Sequence, residues 1–111
     1  MTNEYFKLLA EIPAKEIFPG FLGRMIHTQH LTIAYWDVTA GSEVPLHHHI
    51  HEQMATVLEG EFELEVNGIS QVLLPGMVAV IASNIPHRGM AITNCKLMDV
   101  FTPVREDYKN R

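Results

Sequence analysis

Short runs of mixed apolar and polar residues, separated by turn residues, fill the chain from position 24 onward. Successive side chains of a β-strand point to opposite faces, so short runs of alternating polarity are typical of strands. Runs spaced about 8 to 12 residues apart, with turn signals between them, are typical of sandwiches and barrels. The sequence therefore predicts an all-β fold with strands in residues 24–28, 31–39, 44–49, 53–58, 61–66, 69–74, 77–82, 87–92 and 95–102.

The run 61–66 has the clearest half-buried pattern, because glutamates alternate there with apolar residues. One face of this strand is expected to be wet and the other buried. Asn67-Gly68 follows directly, and this dipeptide accepts the positive φ angles of a type I′ turn. The pattern predicts a two-residue hairpin into the run 69–74.

Two other runs, 77–82 and much of 31–38, are apolar on both faces. A strand of this kind needs cover on both sides, from a second sheet or from a partner subunit. The pattern favours a barrel or sandwich, and it also leads us to expect a homodimer.

The first residues of the chain have a helical rather than a strand-like pattern. Apolar positions recur there at three- and four-residue steps, and Pro13 stands where such a helix would end. We predict a short N-terminal segment that is helical or irregular, with an amphipathic helix over residues 4–12 suggested by this spacing. It belongs to an N-terminal extension, residues 1–23, that packs on the body. Residues 24–111 are predicted to form the barrel and a C-terminal tail. The apolar positions are Tyr5, Leu8, Leu9 and Ile12.

Composition narrows the functional classes. The chain has 111 residues, 47% of them hydrophobic and 19% charged, which suits one globular domain. Its formal charge of -5 and scattered basic residues do not favour nucleic acid as a partner. No apolar stretch reaches the roughly 18 residues of a membrane span, and the N-terminus does not resemble a signal peptide. With a single cysteine, Cys95, the protein is expected to be cytoplasmic.

A row of polar side chains in the strand-forming region is the main candidate for chemistry. The row consists of His47, His49, His51 and Gln53, which share one parity, whereas His48 is expected to point the opposite way. Leaving such groups unpaired in an apolar interior costs on the order of 1 to 3 kcal/mol each. Three imidazoles and an amide on one face therefore indicate a metal cup.

His87 is the natural further ligand, because it follows a turn-like segment at the start of another strand. Imidazoles one residue apart on a strand converge on one point, and a histidine from another strand completes a facial set. Strand parity alone admits His51 as readily as its neighbours, so the choice of ligands stays open at this stage.

The glycines around this row carry a family resemblance. Gly41, His47, His49, Gln53 and Gly60 are spaced as in the first cupin motif, with Gln in place of the usual Glu. Gly76 and His87 fall where the second motif has its glycine and its last ligand, while Ala82, Asn84 and Ala91 replace the motif's Pro, Gly and Asn.

This resemblance covers about residues 24–102 and implies a jelly-roll barrel. It also implies that His47, His49, Gln53 and His87 bind a divalent metal, for which Zn²⁺, Ni²⁺, Mn²⁺ and Fe²⁺ are all compatible. A neutral amide in place of a carboxylate leaves the charge of the ion uncompensated, which favours Lewis-acid chemistry over redox chemistry.

Asp99 is a carboxylate in an otherwise apolar strand. It is either a buried acid beside the metal or a structural carboxylate that caps a turn or pairs with Arg105; the residues alone leave both open. The run DVFTPVREDY, residues 99–108, resembles the end of small cupins that act in pectin and alginate breakdown and convert 4,5-unsaturated uronates to the linear keto form. In that group an Asp, a Phe and an Arg carry function, and Asp99, Phe101 and Arg105 match their spacing.

The resemblance therefore implies metal-assisted proton transfer on a sugar acid. Two alternatives are kept: a metal-dependent dioxygenase of the cupin class, and a non-catalytic sugar-binding or sensor cupin.

Overall fold

The structure, a computed structural model, describes residues 3–110 and consists mainly of antiparallel strands. The strands are β1 (Lys15–Phe18), β2 (Phe21–His27), β3 (Thr32–Val38), β4 (Glu43–His47), β5 (Glu52–Glu59), β6 (Phe62–Val66), β7 (Ile69–Leu73), β8 (Val78–Ile81), β9 (His87–Ala91) and β10 (Cys95–Thr102). A 3-10 helix spans Leu9–Glu11, and α1 spans Glu106–Lys109. Among residues 3–110, no helix has the length and apolar character that crossing a membrane requires.

The strands form two sheets around one core. One sheet has six strands in the order β1-β2-β3-β10-β5-β8, and the other has four in the order β4-β9-β6-β7. Alternate residues of β3 and β10 are buried, as expected for strands with one face on a core. The all-β jelly-roll prediction is confirmed.

The local strand and turn predictions for β6 and β7 are confirmed. Val66 pairs with Ile69, and the two residues between them, Asn67 and Gly68, have φ angles of 50° and 82°. Positive φ at both positions is the signature of a type I′ turn. In β6 the apolar side chains at positions 62 and 64 are buried and Glu63 is exposed, so the predicted wet face is present.

Of the two predicted forms of the N-terminal segment, helical or irregular, the irregular one is observed, and the amphipathic helix over residues 4–12 is wrong. Only the 3-10 helix Leu9–Glu11 forms in residues 4–12, and none of its residues is buried. Residues 15–18 instead form β1, which pairs with β2 and buries Ile17. The apolar spacing of residues 4–12 was helical, but isolated helices this short are marginal in water. Residues 15–18, in contrast, gain backbone hydrogen bonds and burial by pairing with β2. β1 and the start of β2, which the sequence assigned to the extension, are part of the six-stranded sheet.

An apolar row crosses the outer face of the six-stranded sheet. In register across five strands lie Ile26, Ile33, Val100, Met54 and Val80. Met54 and Val80 are 53% and 70% exposed, whereas the other three members are partly buried, so the described residues leave the β5–β8 end of the row uncovered. The doubly apolar pattern of residues 77–82 is therefore only half satisfied within one chain: Ile81 faces the core, and Val80 does not.

Candidate functional site

The predicted row of polar side chains faces one side of the molecule. His47, His49, His51 and Gln53 are each partly buried, whereas the alternate residues from His48 to Met54 are exposed. The side chains of His47, His49, Gln53 and His87 line one cavity between the two sheets, together with Asp99, Phe101 and Arg105. The parity argument from the sequence is confirmed, and all the predicted site residues border the same space.

Three histidines converge at this cavity. The ring centroids of His47 and His87 are 4.3 Å apart, those of His49 and His87 are 4.9 Å apart, and those of His47 and His49 are 5.6 Å apart. One ligand nitrogen from each lies within 4.8 Å of the others, close enough to share one metal ion. β4 and β9 bring two of them together, because His47 pairs with His87 in the register.

A backbone carbonyl faces Nδ1 of each of the three rings. Nδ1 of His47 contacts the Pro45 carbonyl at 2.8 Å, Nδ1 of His49 contacts the His51 carbonyl at 3.0 Å, and Nδ1 of His87 contacts the Ile85 carbonyl at 2.9 Å. A carbonyl only accepts, so in His47 and His87 Nδ1 carries the proton and Nε2 keeps a free lone pair. In His49 an oxygen acceptor faces each ring nitrogen, because Nε2 lies 3.2 Å from Oε1 of Gln53. This is the arrangement found behind metal-binding histidines.

The electrostatics of the rings also suit a cation. Burial, followed by the nearby Arg105 charge, lowers the pKa of His49 to about 4. Burial likewise lowers the pKa of His87, whose Nε2 is buried without a hydrogen-bond partner among the described residues. Neutral imidazoles with unprotonated Nε2 atoms are ready ligands, and a divalent ion at their meeting point would satisfy the orphaned atom of His87.

Gln53 lies against this set from β5. Its Oε1 is 3.2 Å from Nε2 of His49. The Gln53 side chain also lowers the pKa of the Asp99 carboxyl, which is the effect of an amide N–H that donates to the carboxylate. The amide thus directs its nitrogen to Asp99 and its oxygen to the histidines.

Asp99 is buried and lines the same cavity, beside the hydrophobic core. Its Oδ2 accepts a hydrogen bond from the indole nitrogen of Trp36 at 3.0 Å. Burial raises the pKa of Asp99 to about 6, although the hydrogen bonds from Gln53 and Trp36 act in the opposite direction. Of the two interpretations left open by the sequence, the buried acid is the one observed; the pairing with Arg105 is not, because that guanidinium binds Asp107.

Arg105 is also buried and is held from several sides. Its Nε and Nη2 donate to the two oxygens of Asp107 at 3.0 and 2.8 Å, and its backbone N–H donates to Oγ1 of Thr32 at 2.9 Å. The guanidinium carbon lies 4.6 Å from the centre of the Phe101 ring and 3.9 Å from that of Tyr108. The hydrogen bond and charge of Arg105 lower the pKa of Asp107. A fixed cation therefore borders the cavity.

Comparison with known proteins agrees with this geometry. A family model described as the cupin domain matches residues 34–101, which is more than half of the chain. The chain belongs to the cupin family. No curated protein sequence matches it.

Several solved structures resemble most or nearly all of the chain. An RmlC-like cupin from Shewanella frigidimarina has a TM-score of 0.90 at 29% identity, covering 96% of this chain and 96% of that one. KdgF from Halomonas sp. has a TM-score of 0.89 at 27% identity, covering 96% of this chain and 99% of that one. A salicylate 1,2-dioxygenase from Pseudoaminobacter salicylatoxidans, at 20% identity and a TM-score of 0.72, covers 77% of this cupin and 27% of that chain, and shows the shared fold alone.

The loop of the second cupin motif is held by contacts of its own substituted residues. Asn84, which replaces the motif's glycine, has a φ of 64°, in the left-handed region that asparagine tolerates better than most residues. Its backbone N–H donates to the His49 carbonyl at 2.8 Å, which ties the loop before β9 to the first motif. The changes at this motif therefore leave His87 in place.

The two remaining histidines of the tract lie outside the three-histidine set. His51 packs its ring near His49 and Phe101, with centroid distances of 5.4 and 6.4 Å. Its carbonyl fixes the His49 ring instead. His48 is exposed, on the opposite face of the strand, as predicted.

Sequence reasoning missed Trp36, Asp107 and Tyr108. Trp36 is the single tryptophan and shares the inward parity of β3, but its contact to Asp99 joins residues 63 positions apart. Asp107 is two residues from Arg105, and an Arg-x-Asp spacing was a local signal that could have suggested the pair. Tyr108 is the one buried residue of α1.

Proposed function

We propose that this cupin is a metal-dependent enzyme that converts 4,5-unsaturated uronates, from pectin or alginate, to the linear keto form. One observation carries the proposal: Asp99, Phe101 and Arg105 line the same cavity as the three convergent histidines. Two similarities support the same function. Residues 99–108 resemble the end of the uronate-converting cupins, and the chain is similar to KdgF from Halomonas sp..

The proposed metal ligands are His47, His49, Gln53 and His87. The unpaired Nε2 of His87 and the oriented lone pairs of the other rings fit a divalent ion. When bound, the ion supplies Lewis-acid polarisation of substrate oxygens without an electron-transfer step. Zn²⁺, Ni²⁺, Mn²⁺ and Fe²⁺ remain candidates, because this ligand type does not choose among them.

The reaction is an isomerisation, so it needs no oxidant or reductant. A proton leaves the C1 hydroxyl, the C1–O5 bond breaks, and its electron pair passes to the ring oxygen. The resulting enolate gains a proton at C4. The product has an aldehyde at C1 and a ketone at C5, and one proton has been lost and one gained.

Three side chains divide this work. Asp99 carries the proton, as a buried carboxylate held by two hydrogen bonds beside the cavity. Arg105 binds the uronate carboxylate: Asp107 uses only Nε and Nη2, and among the hydrogen bonds of residues 3–110 the Nη1 nitrogen has no protein acceptor. Phe101, buried between Arg105 and the His49 ring, shapes the cavity.

The direct test follows the loss of ultraviolet absorbance of an unsaturated monouronate. Protein prepared without a His-tag and loaded separately with each of the four metals is compared with buffer that contains the same metal. We expect turnover above the buffer rate with at least one metal, and a lower kcat/KM for the uronate methyl ester, which lacks the anion that Arg105 binds. A protein rate equal to the buffer rate with every metal would contradict the proposal.

The same samples separate the alternatives named from the sequence. Oxygen consumption with a phenolic or diketone substrate would favour a dioxygenase. Tight binding of uronates in calorimetry without turnover would favour a sugar-binding or sensor cupin.

We also propose that a second copy of the chain covers the outer face of the six-stranded sheet. The apolar row from Ile26 to Val80 crosses this face, and its members Met54 and Val80 are 53% and 70% exposed. On the same face Asp37 binds Arg24 and Lys96, each at 3.1 Å, so these three charges are already paired. Burial of the row between two copies gives the association its driving force.

A size measurement tests the homodimer. Light scattering at micromolar concentration is expected to give a dimer for the wild type and a monomer for Met54→Lys/Val80→Lys, which places like charges in the interface. Ile69→Lys is the matched control, because Ile69 is 74% exposed on the other sheet. A monomeric wild type, or a dimeric double variant, would refute this interface.

A further inference from the structure

We propose that Asp99 also acts as a positioning residue, which turns the Gln53 amide so that the amide oxygen, rather than the nitrogen, faces the three histidines. Gln53 and Asp99 then act together. Gln53 provides the ligand oxygen, and the negative charge that a glutamate ligand would carry is on Asp99, behind the amide. The inference rests on the proposed metal site, and it explains why position 53 is an amide.

Strand register brings the two side chains together. In the pairing of β5 with β10, Gln53 lies opposite Phe101 and Ala55 lies opposite Asp99. Gln53 and Asp99 are therefore diagonal neighbours on the inward face, a separation that long side chains bridge. Both line the cavity that holds the histidines.

Donor and acceptor chemistry then fixes the amide. An ionised carboxylate only accepts hydrogen bonds, so the group that Gln53 offers to Asp99 is its NH₂. Its Oε1 consequently points the other way, to within 3.2 Å of Nε2 of His49. When the ring proton is on Nδ1 and is donated to the His51 carbonyl, that nitrogen is an acceptor as well.

In that tautomer two acceptors face each other at 3.2 Å, which is repulsive unless a cation lies beside both. Asp99 therefore keeps an oxygen ligand, rather than an amide N–H donor, beside the histidines whether or not an ion is bound. The Trp36 indole holds Asp99 in turn, since its N–H is a donor only and binds Oδ2 at 3.0 Å.

A glutamate at position 53 does not fit beside Asp99. Two carboxylates would then be in contact at a buried site with no donor between them. In Asp99→Asn the fault is reversed. The new amide oxygen accepts from Trp36, so the new NH₂ group faces Gln53 and donates to the amide oxygen that the ion would otherwise bind. The two changes together restore a donor facing an acceptor at every contact, with the same total charge.

The test is a double-mutant cycle on metal affinity, measured by competition with a chelator for Zn²⁺ and for Ni²⁺. Wild type, Gln53→Glu, Asp99→Asn and the double variant are compared. We expect Asp99→Asn alone to bind about 10- to 100-fold more weakly, the range for lost support behind a metal ligand. We expect Gln53→Glu to improve affinity at least about tenfold more in the Asp99→Asn background than in the wild type, because only there is its carboxylate held by a donor.

Melting temperatures in chelator show whether each variant folds. Wild-type affinity in Asp99→Asn, or an equal effect of Gln53→Glu in both backgrounds, would overturn the inference while leaving the proposed function standing. A wild type that binds no divalent ion would instead overturn the proposed function as well. Restored affinity in the double variant without turnover of uronate is expected, since the proton carrier is absent from it.

Discussion

At full metal occupancy, Asp99→Asn is expected to lower kcat for an unsaturated monouronate about 10²- to 10⁴-fold, the usual contribution of one acid–base group. Asparagine keeps the shape of the side chain and an acceptor for the Trp36 N–H, but it cannot take up and release a proton. The measurement is the ultraviolet assay with metal added well above the affinity of the variant.

Asp37→Asn is the matched control, because Asp37 lies on the outer face of the same sheet and pairs there with Arg24 and Lys96. Its kcat should equal that of the wild type. An unchanged kcat in metal-saturated Asp99→Asn would remove Asp99 from the proton-transfer step, whatever its effect on metal affinity.

His47→Ala is expected to abolish metal binding at micromolar concentrations and, with it, activity. Loss of a ligand should cost more than the about 10- to 100-fold that loss of a hydrogen bond to a ligand costs. His47 is only partly buried, so the alanine variant leaves no large hole in the core and should fold. Elemental analysis after dialysis, with the uronate assay on the same sample, gives both readouts.

The neighbouring His48→Ala is the control for this experiment. Its side chain is exposed on the other face of the strand, so the metal content should stay that of the wild type. Equal losses in the two variants would indicate a surface histidine tract that binds metal without a defined site, and would contradict the cavity site.

Features set by neighbouring residues could be predicted from the sequence, because strand geometry alone determines them. The type I′ turn at Asn67-Gly68 and the shared face of His47 and His49 depend only on local backbone conformation and on the two-residue period of a strand. His87 was found as well, although it is distant in sequence, because the spacing of the motif encodes the pairing of β4 with β9.

Features that depend on which strands meet could not be predicted in the same way. Nothing local indicates that Trp36 reaches Asp99, or that residues 15–18 extend the sheet by pairing with β2. The ion-pair partner of Arg105 could not be predicted for the same reason. Asp99 and Asp107 are both near Arg105 in sequence, and only Asp107, at the start of α1, hydrogen-bonds the guanidinium. Tertiary contacts decide such choices among locally equivalent options.

The backbone carbonyls behind the three imidazoles have a consequence for how the protein acquires its metal. Each carbonyl belongs to a residue two positions from the histidine it holds, so the orientation of the rings is a property of the local chain rather than of the ion. The cup is therefore preorganised, and an ion can leave and another enter without the sheets separating. A metal bound at such a cup would be selected by supply and exchange rate more than by folding, and different ions could be compared in one and the same protein preparation.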